Sequence, residues 1–227
     1  MTTVDIALVT WPNRPARLAY FERTVLTLKA NLTATGHTVR WLCSSESERD
    51  PDREWCGEGL AAFCERYEIE LSWRDGPASP GGNMNRAMQL GCGDVILLHQ
   101  DDWLLRQPLD IGPGVDLLLA NRDVDLVRYS FPQNEKQRPT LVPWQSGWVK
   151  FDLQGQWPYG DDPHLRRRDA LDKWGLYAEN KGFAEGDFLR RLVAGNALIV
   201  GPGVSYYAHC GQITTVPNDT RWTTKTR

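Results

Sequence analysis

The chain has 227 residues, 41% of them hydrophobic and 24% charged, with a formal net charge of −3. That length and apolar content support one generous domain with a substantial core, and the slight negative charge argues against general electrostatic binding to nucleic acid or an anionic membrane. No apolar run reaches the length of a membrane span, residues 1–5 do not begin a signal peptide, and five cysteines without a C-x-x-C pair point to reduced thiols and a cytoplasmic setting.

In chain order, Val4 to Thr10 is apolar and β-branched and predicts a first buried strand, closed by the turn Trp11-Pro12-Asn13-Arg14-Pro15. Leu18, Phe21, Val25, Leu28 and Leu32 recur at helical spacing and predict a helix over 17–32. His37 to Cys43 predicts a second strand that runs into a polar loop over 44–50, followed by a helix over 59–67 and a third strand over 69–73. Gly76 to Gly82 reads as a flexible loop, and 83–90 as a helix. The alternation argues for a mostly parallel, doubly wound sheet over 1–103. The second half is less regular. Residues 124–131 alternate like a strand with one solvated face, 148–153 read as a hairpin strand, and 166–175 as a short helix ending at Gly175. A further helix opens within 182–192, two last strands lie at 197–200 and 204–208, and a polar tail follows Thr214.

The centre of the pattern is Gly93-Asp94-Val95-Ile96-Leu97-Leu98-His99-Gln100-Asp101-Asp102-Trp103. Val95 to Leu98 reads as a strand buried on both faces, and it ends in two adjacent carboxylates. Ligands of an open α/β sheet bind beyond the carboxyl ends of its strands, and neighbouring carboxylates there need something positive to offset their repulsion. A divalent cation does this well, taking one or two carboxylates and leaving its other positions to water and phosphate. The plainer reading is a solvated strand-to-loop turn.

Taken in order, these features resemble a family-2 glycosyltransferase with a GT-A fold. The first strand with Asn13-Arg14-Pro15, the helix entry Asn83-Met84-Asn85-Arg86-Ala87, the strand ending in Gln100-Asp101-Asp102, the acidic Glu185-Gly186-Asp187 and the late His209 carry the resemblance. It implies an α/β, Rossmann-like nucleotide-diphospho-sugar transferase fold with a mostly parallel central sheet flanked by helices. It implies one domain over 1–227, with a nucleotide-binding half (1–103), an acceptor and catalytic half (104–214) and a tail (215–227). Gln100 stands where the family's DXD motif has its first Asp, which leaves Asp102 as the direct metal ligand, completed by His209. Asp101 then ligates through water or meets the donor's ribose. The acidic motif usually reads Glu-Asp; here Ala184-Glu185 makes Glu185 the first choice of general base and Asp187 the second. Donor contacts are expected at Thr10, Trp11 and Arg14, at Ser44 and Glu46, at Asn83 and Arg86, at Gln100 and Asp101, and at Arg168, whose guanidinium suits phosphate.

The resemblance implies transfer of a sugar from a nucleotide-diphosphate sugar to an acceptor hydroxyl with inversion, assisted by Mn²⁺ or Mg²⁺. The acceptor is open among a glycan, a lipid-linked sugar, a protein and a nucleic-acid base. Trp144, Trp148, Trp157 and Tyr159 are candidates to stack on a sugar or base, although core packing suits each of them too. His99, facing away from Gln100 by strand alternation, reads as structural. Two alternatives stand beside this reading: a non-catalytic nucleotide-sugar-binding module, and a sugar nucleotidyltransferase. The latter would carry a Gly-rich basic loop after the first strand, where this chain has Trp11-Pro12-Asn13-Arg14.

Overall fold

The structure is a computed structural model and describes residues 1–12, 15–47, 56–75, 79–131, 138–145, 147–155, 158–179 and 184–210. In its first half come β1 (Thr3–Thr10), α1 (Pro15–Asn31), β2 (Leu32–Thr33), β3 (Thr38–Ser47), α2 (Gly57–Arg66), β4 (Glu70–Asp75), α3 (Pro80–Leu90) and β5 (Val95–Gln100), which apart from the short β2 alternate as the sequence predicts. There follow β6 (Trp103–Leu105), β7 (Leu109–Asp110), α4 (Gly112–Ala120), β8 (Val124–Arg128), β9 (Leu141–Gln145), β10 (Trp148–Phe151) and β11 (His164–Arg167). The last elements are α5 (Ala170–Trp174), α6 (Ala184–Ala194), β12 (Leu198–Gly201) and β13 (Tyr207–His209).

Among the described residues the main sheet has nine strands in the order β4-β3-β1-β5-β11-β8-β12-β10-β9. Parallel pairing joins β4, β3, β1 and β5, and again β8 and β12, while β11 runs antiparallel between β5 and β8. Strand alternation divides the interior into two cores, because successive side chains point to opposite faces. Val4, Ile6, Leu8, Val95 and Leu97 pack on one face with Phe21, Val25 and Leu28 of α1, Leu60 of α2 and Val115 and Leu118 of α4. Ala7, Val9, Ile96 and Leu98 pack on the other with Met84 and Met88 of α3, Trp174 of α5 and Phe188 and Leu192 of α6. The result is a mostly parallel sheet flanked by helices on both faces.

Several elements differ from the sequence reading, for identifiable reasons. β3 does not stop at Cys43; Ser44 and Ser45 remain strand because they pair with Val9 and Thr10 of β1 and with Ser72 and Trp73 of β4. Gly81 and Gly82 belong to α3, which Ser79 caps by accepting a hydrogen bond from the Gly82 N–H at 3.2 Å, with Pro80 in the first turn. A Cβ at Gly81 would stand 2.4 Å from the Ala178 carbonyl oxygen and 3.2 Å from Ala184 Cβ, so this glycine serves close packing of α3 against the start of α6.

The predicted helix over 166–175 is strand β11 followed by the five-residue α5. Arg166 and Arg167 are buried. Arg167 donates to the carbonyls of Leu118 and Val124 and Arg168 to those of Gly93 and Met88, so the run satisfies the open carbonyl ends of α4 and α3. β8 is buried on both faces: Asp125 accepts from Lys173, Trp174 Nε1 and the Leu198 N–H, and Arg128 pairs with Asp162. The tail from 215 and Trp157 lie outside the described residues.

Candidate active site

β1, β3 and β5 end together, with Thr10 opposite Ser45 and Val9 opposite Gln100. This common carboxyl edge carries a cavity of about 220 Å³ lined by Thr10, Trp11, Arg17, Glu46, Asn83, Gln100 and Asp101, among others. Its floor is a hydrogen-bonded frame. Asn83 donates to the Thr10 carbonyl at 2.9 Å and accepts from the Ser44 hydroxyl at 2.6 Å, tying α3 to β1 and β3. Glu46 accepts from the Ser79 N–H at 2.6 Å and from Arg86 at 2.8 Å. Ser44 and Arg86 therefore brace the cavity from behind. Arg14 lies outside the described residues.

Asp101 and Asp102 follow β5 directly. Asp101 is 4% exposed and fully engaged: Thr10 Oγ1 donates to its carboxylate at 2.8 Å, Thr24 of α1 donates to its carbonyl at 2.8 Å, and Arg17 stands 3.3 Å away. Burial raises the Asp101 carboxyl, opposed by the Arg17 charge. The short pair of β6 and β13 sets Trp103 opposite His209, which delivers His209 Nε2 to 3.2 Å from Asp102 Oδ2. Burial alone would raise the Asp102 carboxyl, but the hydrogen bond and charge of His209, with Arg17, outweigh it and bring Asp102 down to about 2. His209 responds in the opposite sense: burial works to lower its imidazole, and Asp102 raises it above the ordinary value. Asp102 Oδ1 and His209 Nδ1 are buried and have no hydrogen-bond partner among the described residues.

Three or more His, Cys, Asp or Glu side chains grouped to hold a metal are not found among the described residues. Asp102 and His209 nonetheless fit a hard cation of the Mg²⁺ or Mn²⁺ type. Such ions take one or two protein ligands and complete their shell with water and substrate phosphate, and Asp102 offers an unused buried oxygen.

A second acidic group reaches the same edge. β11 runs antiparallel to β5 with His164 opposite Leu98, so residues 159–162, which precede it, arrive where β5 ends. Asp162 is paired with Arg128, both buried. Glu185, in the first turn of α6, adjoins this pair. Burial, then the Asp162 charge, push Glu185 up to about 7, against the opposing pull of Arg128 and of the Asp161 N–H. Asp161 is raised well above the carboxylate range by burial and by the charge of Glu185, while Tyr159 donates to it at 3.3 Å. Asp187 pairs with Arg190 and Arg191, one turn along its own helix, at 3.4 Å each.

Arg168 is a correction of place. It lies at the amino edge of the sheet, donating to Asp5 at 2.6 Å, at the opposite end of β1 from Thr10. Tyr159 is buried against Phe188 and shares a hydrogen bond with Tyr177, so it is no free stacking platform, and Trp144 and Trp148 are partly buried against the core. His99 is fully buried against Tyr207. Sequence reasoning misses Arg17, Arg128, Asp161 and Asp162. Gly160-Asp161-Asp162-Pro163 repeats the paired-carboxylate signal of Gln100-Asp101-Asp102 and is readable by the same rule; Arg17 looks like any polar residue of an amphipathic helix.

Among solved structures, the fold is similar to that of glycosyltransferases. The mannosyltransferase PcManGT of Pyrobaculum calidifontis, solved with GDP-Man and Mn²⁺, superposes with a TM-score of 0.56 at 11% identity, over 87% of this chain and 53% of that one. S. aureus TarS 1–349 superposes with a TM-score of 0.60 at 16% identity, over 91% of this chain and 60% of that one, and TarS 1–349 is also solved with UDP-GlcNAc. The chain has a GT-A fold. This GT-A chain spans between half and two thirds of the length of those structures. No family model and no curated protein matches its sequence.

Proposed function

We propose that this GT-A chain is a glycosyltransferase that takes a nucleoside-diphosphate sugar in the cavity at the carboxyl edge of β1, β3 and β5 and passes the sugar, with inversion, to an acceptor hydroxyl. The observation that carries the reading is the pairing of Asp102 with His209 at the end of the central strand, on the same sheet edge as Glu185. PcManGT and TarS have been solved with GDP-Man and UDP-GlcNAc respectively, which supports a donor of this class.

Each residue then has a chemical task. Trp11, Asn83 and Gln100 line the donor cavity, and Asn83 fixes the Thr10 carbonyl that forms its floor. Asp102 and His209 would hold a divalent cation, whose chemistry is to neutralise charge on the departing diphosphate. Glu185 takes the acceptor's proton. A base near neutrality is suited to this, because it is ionised enough to accept and basic enough to pull. Arg128 and Asp162 hold the surroundings of that carboxylate fixed and nearly neutral in sum. Among the described residues no helix is long and apolar enough to cross a membrane.

The test is turnover. Purified protein is supplied with Mn²⁺ and a panel of UDP- and GDP-sugars, and release of the nucleoside diphosphate is followed with and without glycan, lipid-linked and polymer acceptors. Release from one donor, lost in Glu185→Gln, is the expected result. Binding of a nucleotide without release from any donor would favour the non-catalytic module.

A further inference from the structure

One nitrogen bridges the two carboxylates at the end of the central strand. Arg17 Nη1 stands 3.3 Å from Asp101 Oδ1 and 3.4 Å from Asp102 Oδ2. Neighbouring carboxylates in a buried setting repel one another and need a compensating charge. Here an arginine supplies it, in the position from which a divalent cation bound to Asp102 would act. Asp102 Oδ2 is already shared with His209 Nε2 at 3.2 Å.

The arginine is held differently from the groups it neutralises. Asp101 and Asp102 are 4% and 13% exposed, whereas Arg17 is 34% exposed and forms part of the cavity wall. Asp101 stays in place without it, through Thr10 and Thr24. Arg17 lies in the first turn of α1, so its long side chain can turn about a fixed backbone into the cavity. A doubly charged ion on Asp102 beside a guanidinium would bring three positive charges to two carboxylates, and like charges a few ångströms apart repel. A diphosphate in the cavity removes that conflict: it carries the missing negative charge and matches the planar fork of a guanidinium.

We infer that Arg17 is an exchangeable counter-ion, which holds the Asp101–Asp102 pair in the ligand-free protein and transfers to the donor's diphosphate when a divalent cation takes its place. The inference rests on the donor and cation site proposed above, and it gives Arg17 opposite effects on two ligands. It opposes the cation in the absence of nucleotide and supports the nucleotide in the presence of the cation.

The experiment compares wild type, Arg17→Gln, Arg17→Lys and Asp102→Asn, each checked for folding by its melting transition. Binding of Mn²⁺ alone is read by the electron paramagnetic resonance of the free ion, and binding of UDP and GDP at saturating Mn²⁺ by calorimetry. Arg17→Gln is expected to bind Mn²⁺ alone about tenfold more tightly and the nucleoside diphosphate about tenfold more weakly, the scale of one partly exposed charge contact at either site. Arg17→Lys keeps the charge and loses the fork, so its Mn²⁺ affinity stays near wild type while its nucleotide affinity falls. Mn²⁺ affinity that is unchanged or weaker in Arg17→Gln overturns the exchange; if Asp102→Asn still abolishes Mn²⁺ binding in that case, the cation site itself stands. Mn²⁺ binding that survives Asp102→Asn contradicts both.

Discussion

Asp162 accepts from Arg128 Nε at 2.9 and 3.0 Å and from Nη2 at 2.6 Å, and the charges of both act on the carboxylate of Glu185. Gly160 marks the meeting point. A Cβ there would lie 3.3 Å from Arg128 Nη2, 3.4 Å from Asp162 Oδ1 and 3.3 Å from Glu185 Oε1, so all three charged groups surround this one position.

That arrangement sets a pH dependence. Glu185 is raised to about 7, by burial first and by Asp162 second, and a general base must be ionised to act. The ionised fraction grows as pH increases, so kcat/KM should climb through about pH 7 to a plateau on the alkaline side. Glu185→Gln should remove this limb and lower kcat by roughly 10²–10⁴, the usual weight of general-base catalysis. A profile that keeps its limb in Glu185→Gln assigns the base elsewhere.

Asp161 is the control for that assignment. Burial and the charge of Glu185 raise it well above its ordinary value, so the two carboxyls interact. Asp161→Asn replaces this acid by an amide of similar shape. After burial it is the charge of Asp162, and not that of Asp161, that raises Glu185, so the acidic limb should stay within about 0.5 pH unit of wild type. A large displacement would mean that Asp161 and Glu185 share the proton.

How much of this is legible in the sequence follows from the range of the forces involved. β1 and β5 are readable because both faces are buried and the apolar run is local. Asp102 and His209 are readable only through motif order, since the pairing of β6 with β13 that joins them is a long-range contact with no local signature. The arginine run 166–168 misleads because it reads locally as the start of a helix, with a guanidinium at Arg168 that suits phosphate. Only the tertiary fold shows that His164 and Tyr177 engage Arg166, that backbone carbonyls engage Arg167, and that carbonyls and Asp5 engage Arg168. Gly81 and Gly82 mislead in the same way: glycine next to proline signals a loop locally, whereas here it signals tight helix packing.

The true place of Arg168 yields a separable prediction. Arg168→Ala removes a partner of fully buried Asp5 and the bonds to Gly93 and Met88, while Arg40 remains at 2.8 Å from Asp5. Urea denaturation should show a loss of about 1–3 kcal/mol, less than for a fully buried pair because Arg168 is itself partly exposed. Nucleotide affinity of the folded variant should not change. A specific loss of affinity at unchanged stability would return Arg168 to the donor site.

Gly81→Ala tests the packing of α3 on α6. The added Cβ meets backbone, the Ala178 carbonyl, which cannot rotate aside as a side-chain tip does. Overpacking of this kind costs about 1–3 kcal/mol, more than the gain of helix propensity from alanine. Thermal unfolding of the variant should fall accordingly, and an unchanged or raised melting temperature would show that this contact yields.

The central claim, a cation-assisted nucleoside-diphosphate site at Asp102, is tested most directly by a thermal-shift panel of UDP, GDP, TDP, CDP and ADP, each with Mn²⁺ and with EDTA. A ligand that binds only the folded state stabilises it by about 3 kcal/mol at a hundredfold excess over Kd, which is readily seen as a shift in Tm. The account predicts a Mn²⁺-dependent rise with one nucleotide, abolished in Asp102→Ala. A rise that persists in EDTA and in Asp102→Ala, or no rise with any nucleotide in folded protein, would contradict it.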